Sequence, residues 1–134
     1  MVNTIDLKSL DNLRNNFREL VGKYRKKLFV KRENGIQFVF NRQSMNKIGC
    51  IKSVNNSVVR GFTPEEHFEA AENIKDFFER SEVVAQWNKK KKTRVETGYL
   101  CRCQAAENIF AWMRVTTWGK DEGYIDMYLS KDGE

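Results

Sequence analysis

The sequence of 134 residues is 40% hydrophobic, 12% aromatic and 31% charged, which suits one compact domain with a real core and a polar surface. No apolar run approaches the roughly 20 residues needed to cross a bilayer, and the N-terminus lacks the pattern of a signal peptide, which argues against a membrane or secreted protein. We therefore expect a single cytoplasmic domain over residues 1–134, without a membrane partner, either complete or cut from a larger protein.

The net charge of +6 comes from 24 Lys and Arg residues against 18 Asp and Glu residues. The excess lies in two runs, with six cations in "KYRKKLFVKR" and five in "NKKKKTR". Clustered positive charge on a small domain suggests a polyanionic partner, most often nucleic acid. The alternative is a solvated loop that keeps the protein soluble. In both cases we expect Lys89, Lys90, Lys91 and Lys92 in an exposed connection.

The cysteines Cys50, Cys101 and Cys103 form an odd set, which we expect to remain as free thiols. The chain has a single histidine, His67, and no closely spaced Cys-x-x-Cys pairs. A structural zinc site takes about four such ligands. We therefore predict no metal and no other cofactor.

The first predicted element is an amphipathic helix. Apolar residues recur at three- and four-residue steps between Leu7 and Tyr24. Thr4 or Asp6 is suited to cap its start. Gly22 is suited to end it in a left-handed turn.

A hairpin is predicted next, because the β-rich runs "KKLFVKR" and "IQFVFNR" flank the Asn34-Gly35 pair, in which both residues tolerate positive φ. "QSMNKIG" is expected to add a turn of helix. "KSVNNSVVRG" is expected to be a loop, with a short strand at Val58 and Val59.

The stretch "GFTPEEHFEAAENIKDFF" predicts a second helix. Thr63 is the expected N-cap, Pro64 fits the first helical position, and Glu66 completes a capping box. The helix should run to about Arg80, and "EVVAQW" either extends it or begins a strand. His67 lies on the apolar face, as either a packed core residue or the general acid or base of an active site.

The last third predicts an antiparallel β-meander, because three alternating segments are separated by turn-forming residues. The side that should face the helices carries Val95, Tyr99, Cys101, Cys103, Ile109, Ala111, Met113, Val115, Ile125, Met127 and Leu129. The predicted fold class is α+β. It has an N-terminal helix and hairpin within 1–42, then a second helix and a meander of three to four strands packed on the helices within 61–130.

The opposite side of this sheet mixes arginines with large aromatic rings. Its predicted members are Arg94, Glu96, Arg102, Phe110, Trp112, Arg114, Thr116, Trp118, Tyr124, Asp126 and Tyr128. Rings offer a stacking surface for bases, and arginine offers a planar donor group for phosphate. The alternative is that the rings pair across strands for structural reasons, or that the hairpin or a partner covers them. With the four lysines, Arg94, Arg102, Trp112 and Trp118 are the predicted nucleic-acid contacts.

The segment "EEHFEAAENIKDFFERSEV", the lysine-rich spacer and the strands "AENIFAWMRVTTWGKDEGYIDMYLS" resemble phage-associated nuclease domains of the barnase/EndoU/colicin/RelE-like superfamily. The resemblance covers roughly Ile36 to Leu129. It consists of a His-Phe pair that opens a helix, an I-x-x-F-F continuation and a terminal meander. It implies a metal-independent ribonuclease, in which the ribose 2′-hydroxyl attacks the adjacent phosphorus.

The resemblance also implies catalytic residues: an acid or base, two cations that stabilise the developing phosphorane charge, and two hydroxyl groups. These are His67, Arg114, Lys120, Thr116 and Tyr124. Arg94 or Arg102 would position the phosphate. Such nucleases commonly use more than one strong acid–base group, so Glu66 or Glu96 would supply the second.

Two functions therefore stand side by side. The first is a mobile-element ribonuclease or toxin that acts on RNA. The second is a non-enzymatic phage or mobile-element protein that binds nucleic acid, or that inhibits a host nucleic-acid-processing or defence complex such as CRISPR. The expected partners are RNA or another nucleic acid, and a host or immunity protein. A His67 ring that opens into a cleft with Arg114 or Lys120 favours catalysis, and a sealed ring favours binding.

Overall fold

A computed structural model describes residues 6–31 and 33–131 of the chain. The helices in these residues are α1 (Leu7–Val21), α2 (Arg42–Ile48), α3 (Ile51–Val58), α4 (Pro64–Ala71) and α5 (Ile74–Arg80). The strands are β1 (Leu28–Lys31), β2 (Ile36–Val39), β3 (Glu82–Lys90), β4 (Val95–Ala106), β5 (Ile109–Trp118) and β6 (Glu122–Lys131). β1 and β2 form a hairpin, and β3-β4-β5-β6 form an antiparallel sheet in chain order. The predicted α+β fold is confirmed.

Both ends of α1 lie where they were predicted, but the predicted left-handed turn at Gly22 is wrong. Asp6 is the N-cap, and its side chain accepts a hydrogen bond from the backbone N–H of Lys8 at 3.1 Å. The other proposed cap, Thr4, lies outside the described residues. Gly22 has φ −54° and continues into a short 3-10 turn. The left-handed residue is Lys26, at φ 67°, where the chain turns into β1.

The β1–β2 hairpin turns at the predicted place, and Gly35 has the positive φ of 67° that glycine adopts without strain. Phe29, Phe38 and Phe40 of this hairpin are fully buried. The ring of Phe38 lies 5.4 Å from that of Phe78 on α5. The hairpin therefore completes the core on the helical side of the four-stranded sheet.

The region between the hairpin and the sheet is more helical than predicted. "KSVNNSVV" forms most of α3, so the expected loop and the short strand at Val58 and Val59 are wrong. The buried face of α3 carries Val54 with two serines, Ser53 and Ser57. Ser53 bonds to Asp126 of β6 and to the Lys47 carbonyl of α2. Ser57 bonds to the Leu129 N–H of β6, so both buried hydroxyls have partners outside α3. The predicted second helix is divided into α4 and α5, and "EVVAQW" begins β3.

The alternation of the meander predicted its core side. Cys101, Cys103, Ala111, Met113, Val115, Ile125, Met127 and Leu129 are all buried there. Val95 is an exception and is 58% exposed. Val95 lies at the end of the β3–β4 hairpin, which extends into solvent, and every residue from 84 to 95 is exposed.

The two edges of the four-stranded sheet differ. At the β6 edge, the backbone N–H of Ile125 donates to Ser44 Oγ of α2 at 3.1 Å, and that of Leu129 donates to Ser57 Oγ of α3 at 2.9 Å. Helix side chains therefore satisfy backbone groups that an edge strand leaves unpaired. At the β3 edge, no strand among the described residues pairs with the outer side of β3, and a β-bulge interrupts its pairing at Val84.

Candidate nucleic-acid interface

The side of the sheet opposite the helices carries the predicted mixture of arginines and rings. The strand register places Trp87, Gly98, Thr116 and Tyr124 in one row across the sheet. We call this surface the outer face. By the same register it comprises Glu82, Ala85, Trp87, Lys89, Glu96, Gly98, Leu100, Arg102, Gln104, Phe110, Trp112, Arg114, Thr116, Trp118, Glu122, Tyr124, Asp126, Tyr128 and Ser130. Arg94 joins it, because its guanidinium lies 3.8 Å from the ring centre of Trp118.

His67 does not reach the outer face. The α4 capping box forms as predicted and starts the helix, and the His67 side chain is then fully buried. Its Nε2–H donates to the carbonyl oxygen of Ile48 at 2.8 Å, and its Nδ1 accepts from Ser57 Oγ at 2.8 Å. Ser57 Oγ in turn accepts from the Leu129 N–H. Burial lowers the pKa of His67 to about 4. The ring is therefore neutral at physiological pH, and both of its nitrogens have partners.

The other four residues predicted to be catalytic lie apart from His67. Arg114 and Thr116 on β5 share the outer face with Tyr124 on β6, where Thr116 stands directly opposite Tyr124. Lys120 is exposed in the β5–β6 turn. The neighbours of the His67 ring include none of these four residues. Of the two alternatives for His67, the structure therefore has the sealed ring and not one that opens into a cleft with Arg114 or Lys120.

The arginines of the outer face are held by carboxylates and rings. Arg94 donates two hydrogen bonds to the buried Glu96, at 2.7 and 2.9 Å, while it stacks on Trp118. Arg102 pairs with Glu82, and its guanidinium lies 5.6 Å from the ring centre of Trp112. These contacts fit the structural alternative, in which cross-strand pairs stabilise the sheet.

Arg114 is held less completely. Its Nε lies 3.9 Å from the nearer Asp126 oxygen, is buried, and has no hydrogen-bond partner among the described residues. Its guanidinium lies 5.5 Å from the ring centre of Tyr128. Asp126 is fixed by a hydrogen bond from Ser53, and burial raises the pKa of its carboxyl group. Among Arg94, Arg102 and Arg114, Arg114 is thus the one without a hydrogen bond to its neighbouring carboxylate.

The lysine run is exposed, as predicted, but only half of it is a connection. Lys89 and Lys90 belong to β3 and stand opposite Glu96 and Val95, while the other two lysines form the turn into β4. We call residues 89–92 the lysine tip. Within the described residues, none of its four ammonium groups forms an ion pair or a side-chain hydrogen bond.

The three tryptophans have different surroundings. Trp112 is buried, donates from Nε1 to Ser130 Oγ at 2.6 Å, and stacks parallel to Tyr128. Trp118 is half-buried beneath Arg94. Trp87 is 45% exposed, and no ring or cation of the described residues stacks on it. Sequence reasoning selected Trp112 and Trp118 and missed Trp87, whose strand was not assigned with certainty.

The chemistry of other sites is limited. The cysteines Cys50, Cys101 and Cys103 are free thiols, as predicted, and burial raises the pKa of both Cys101 and Cys103, so neither is an activated thiolate. In the described ranges, no group of three or more His, Cys, Asp or Glu side chains is arranged to hold a metal ion. No helix in those ranges is long and apolar enough to cross a membrane.

Comparison with known protein families gives one match. Residues 8–116 match the model described as large polyvalent protein-associated domain 3, which covers α1 to β5 and so most of both layers of the fold. Comparisons with curated proteins and with solved structures gave no match. The phage association that the resemblance implied is confirmed, and the matched family is not the barnase/EndoU-like nuclease superfamily that the sequence pattern suggested.

Proposed function

The chain belongs to the large polyvalent protein-associated domain 3 family, a phage- or mobile-element-associated group, and from that premise we propose that it binds nucleic acid without cleaving it. The observation that carries this proposal is the lysine tip. Its four cations are exposed and have no ion-pair partner in the described part of the chain. Unpaired cations that stand close together in solvent attract phosphate groups and release the counterions bound to them.

The distribution of charge also favours the side of the molecule with the lysine tip as the binding surface. Residues 64–80, which span α4 and α5, carry six acidic residues and two basic ones, whereas residues 82–94 carry one acidic residue and five basic ones. Phosphates are repelled by the first region and attracted by the second. A polyanion should therefore approach along the β3–β4 hairpin and onto the outer face, where Arg94 and Arg114 lie.

Ribonuclease activity is the less well supported function. Transesterification needs a group that exchanges a proton with the ribose hydroxyl, within hydrogen-bond distance of it. His67 is buried, and both of its ring nitrogens are already hydrogen-bonded. Its pKa of about 4 also lies well below the range that suits a general acid at neutral pH. Glu96, a second candidate, is buried and held by Arg94.

The proposal is tested by titrating a fluorescein-labelled RNA with the protein and with a variant in which Lys89, Lys90, Lys91 and Lys92 are replaced by glutamine. We expect the wild type to bind and the variant to bind at least about tenfold more weakly at low salt, since each lost phosphate contact removes favourable counterion release. The RNA should remain intact after incubation in EDTA or in magnesium. Cleavage would support the ribonuclease, and equal binding by the two proteins would contradict the proposed site.

A further inference from the structure

Trp87 is an exposed tryptophan on an otherwise well-partnered sheet. A large ring with 45% of its surface in water is an unfavourable arrangement for folding alone, because burying it would release more free energy than leaving it in solvent. The other two tryptophans of this sheet are covered. Arg94 lies over Trp118, and Arg102 and Tyr128 lie against Trp112. Trp87 is therefore the tryptophan of this sheet that is most accessible to a ligand.

The indole of Trp87 packs closely against Gly98, its cross-strand neighbour on β4. A Cβ atom at position 98 would stand only 2.3–2.6 Å from three atoms of the ring, so any other residue there would lift the indole off the sheet. Glycine inside a strand costs stability and commonly marks a close approach by another group. Here the approaching group is the Trp87 indole.

The surroundings of this ring are cationic. Lys89 follows two residues later on the same face of β3, about 7 Å along the strand, and the lysine tip continues beyond it. The next exposed ring on this side, Trp118, is occupied by Arg94. Trp87 thus combines an accessible aromatic ring with exposed lysine side chains within the reach of one nucleotide.

From this juxtaposition we infer that the ligand is a single-stranded nucleic acid, one of whose bases stacks on Trp87 while its phosphates contact the lysine tip; this rests on the proposed function. An aromatic ring cannot stack on the bases of a duplex, because those bases are stacked on one another and present only their edges in the grooves. An unpaired base has a free face, and stacking on an aromatic side chain is tolerant of base identity. The site should therefore prefer single strands over duplexes and show little preference among sequences.

The inference is tested with a fluorescein-labelled RNA strand of mixed sequence and with the duplex formed from it. The wild type should bind the single strand more tightly. Trp87→Ala should weaken single-strand binding by about 5- to 150-fold, the range seen when one base–aromatic stack is lost. Trp87→Phe should retain most of the affinity, and duplex binding should change little with either variant. Val84→Ala is the matched control, because it removes another half-exposed apolar side chain of β3 and should leave binding unchanged.

The outcomes separate the inference from the proposed function. If the lysine-to-glutamine variant loses binding while Trp87→Ala binds like the wild type, the inference is overturned and the proposed function stands. Equal affinity for strand and duplex overturns the inference in the same way. If neither nucleic acid binds, both fall, and a protein partner becomes the explanation of this surface.

Discussion

The two edges of the four-stranded sheet differ in how they are covered, and under the proposed function this difference separates stability from nucleic-acid binding. The β6 edge is closed by α2 and α3, whose serines accept hydrogen bonds from its backbone, and His67 lies behind it in the same buried network. The β3 edge is open, bears an exposed tryptophan and ends in four cations without ion-pair partners in the described chain. The chain's only histidine therefore contributes to the stable edge, and the groups free to contact a partner lie at the other.

The open edge of β3 also carries features that limit aggregation with other chains. An exposed strand edge is a template for pairing with other chains, and proteins limit that risk with bulges and lysines. β3 has both, with a bulge at Val84 and the lysines at its end. The same lysines that prevent edge-to-edge association are available to a polyanion.

The largest effect is expected at the closed edge. Replacing His67 by alanine removes a buried ring, and it leaves the Ser57 hydroxyl hydrogen and the Ile48 carbonyl oxygen each without the ring nitrogen that they bond. We expect the free energy of unfolding to fall by about 3–5 kcal/mol, from the cavity and the unsatisfied polar groups together. Urea denaturation followed by circular dichroism measures this change.

His67→Gln provides a milder variant in case the alanine protein does not fold. It should lose less stability, since an amide can replace one of the two hydrogen bonds. At temperatures where either variant is folded, RNA affinity should equal that of the wild type. A change of less than about 1 kcal/mol on His67→Ala would contradict the structural role of the ring.

The second effect is a dependence of stability on pH. Burial holds the pKa of His67 at about 4, below its ordinary value of 6.5, so the unfolded chain binds more protons than the folded chain between these values. The stability contributed by the neutral ring is complete above about pH 6.5 and is lost as the pH falls toward 4, by roughly 3 kcal/mol in all.

This dependence is measured as the difference between wild type and His67→Gln in urea titrations across that pH range. Asp126 and the other carboxyl groups titrate in both proteins and cancel in the difference. A difference that does not change with pH would mean that the ring is solvated or charged in the folded protein.

The smallest effects on stability are expected from one substitution at each edge of the sheet. Ser44→Ala leaves the buried Ile125 N–H without its acceptor and should cost about 1–3 kcal/mol. Val84→Ala, at the bulge of the open edge, should change stability by no more than about 0.5 kcal/mol. Thermal unfolding of the two variants measures both losses of stability. Similar losses would mean that the β3 edge contributes as much to stability as the β6 edge.

Local signals in the sequence predicted a large part of this fold. The capping box at Thr63 and Glu66 located the start of α4, and Asn34-Gly35 located the first hairpin. Alternation in the meander separated the buried side of the sheet from the outer face, because the side-chain period of a strand is two residues.

The parts that were missed depend on contacts between distant segments. α3 was predicted as a loop, because Ser53 and Ser57 look like surface residues until Asp126 and Leu129 of β6 bond to them. The role of His67 depends on the same network. The importance of Trp87 depends on Gly98, which becomes its neighbour only through the register of β3 and β4.

The most direct test of the proposed open surface is the salt dependence of single-stranded RNA affinity, measured for the wild type and for the variant with glutamine at positions 89–92. Affinity of the wild type should fall linearly on a double-logarithmic plot against salt concentration, and the slope should be shallower in the variant by about 0.7 for each lysine that contacts a phosphate. Equal slopes for the two proteins, or wild-type binding that does not respond to salt, would contradict the account.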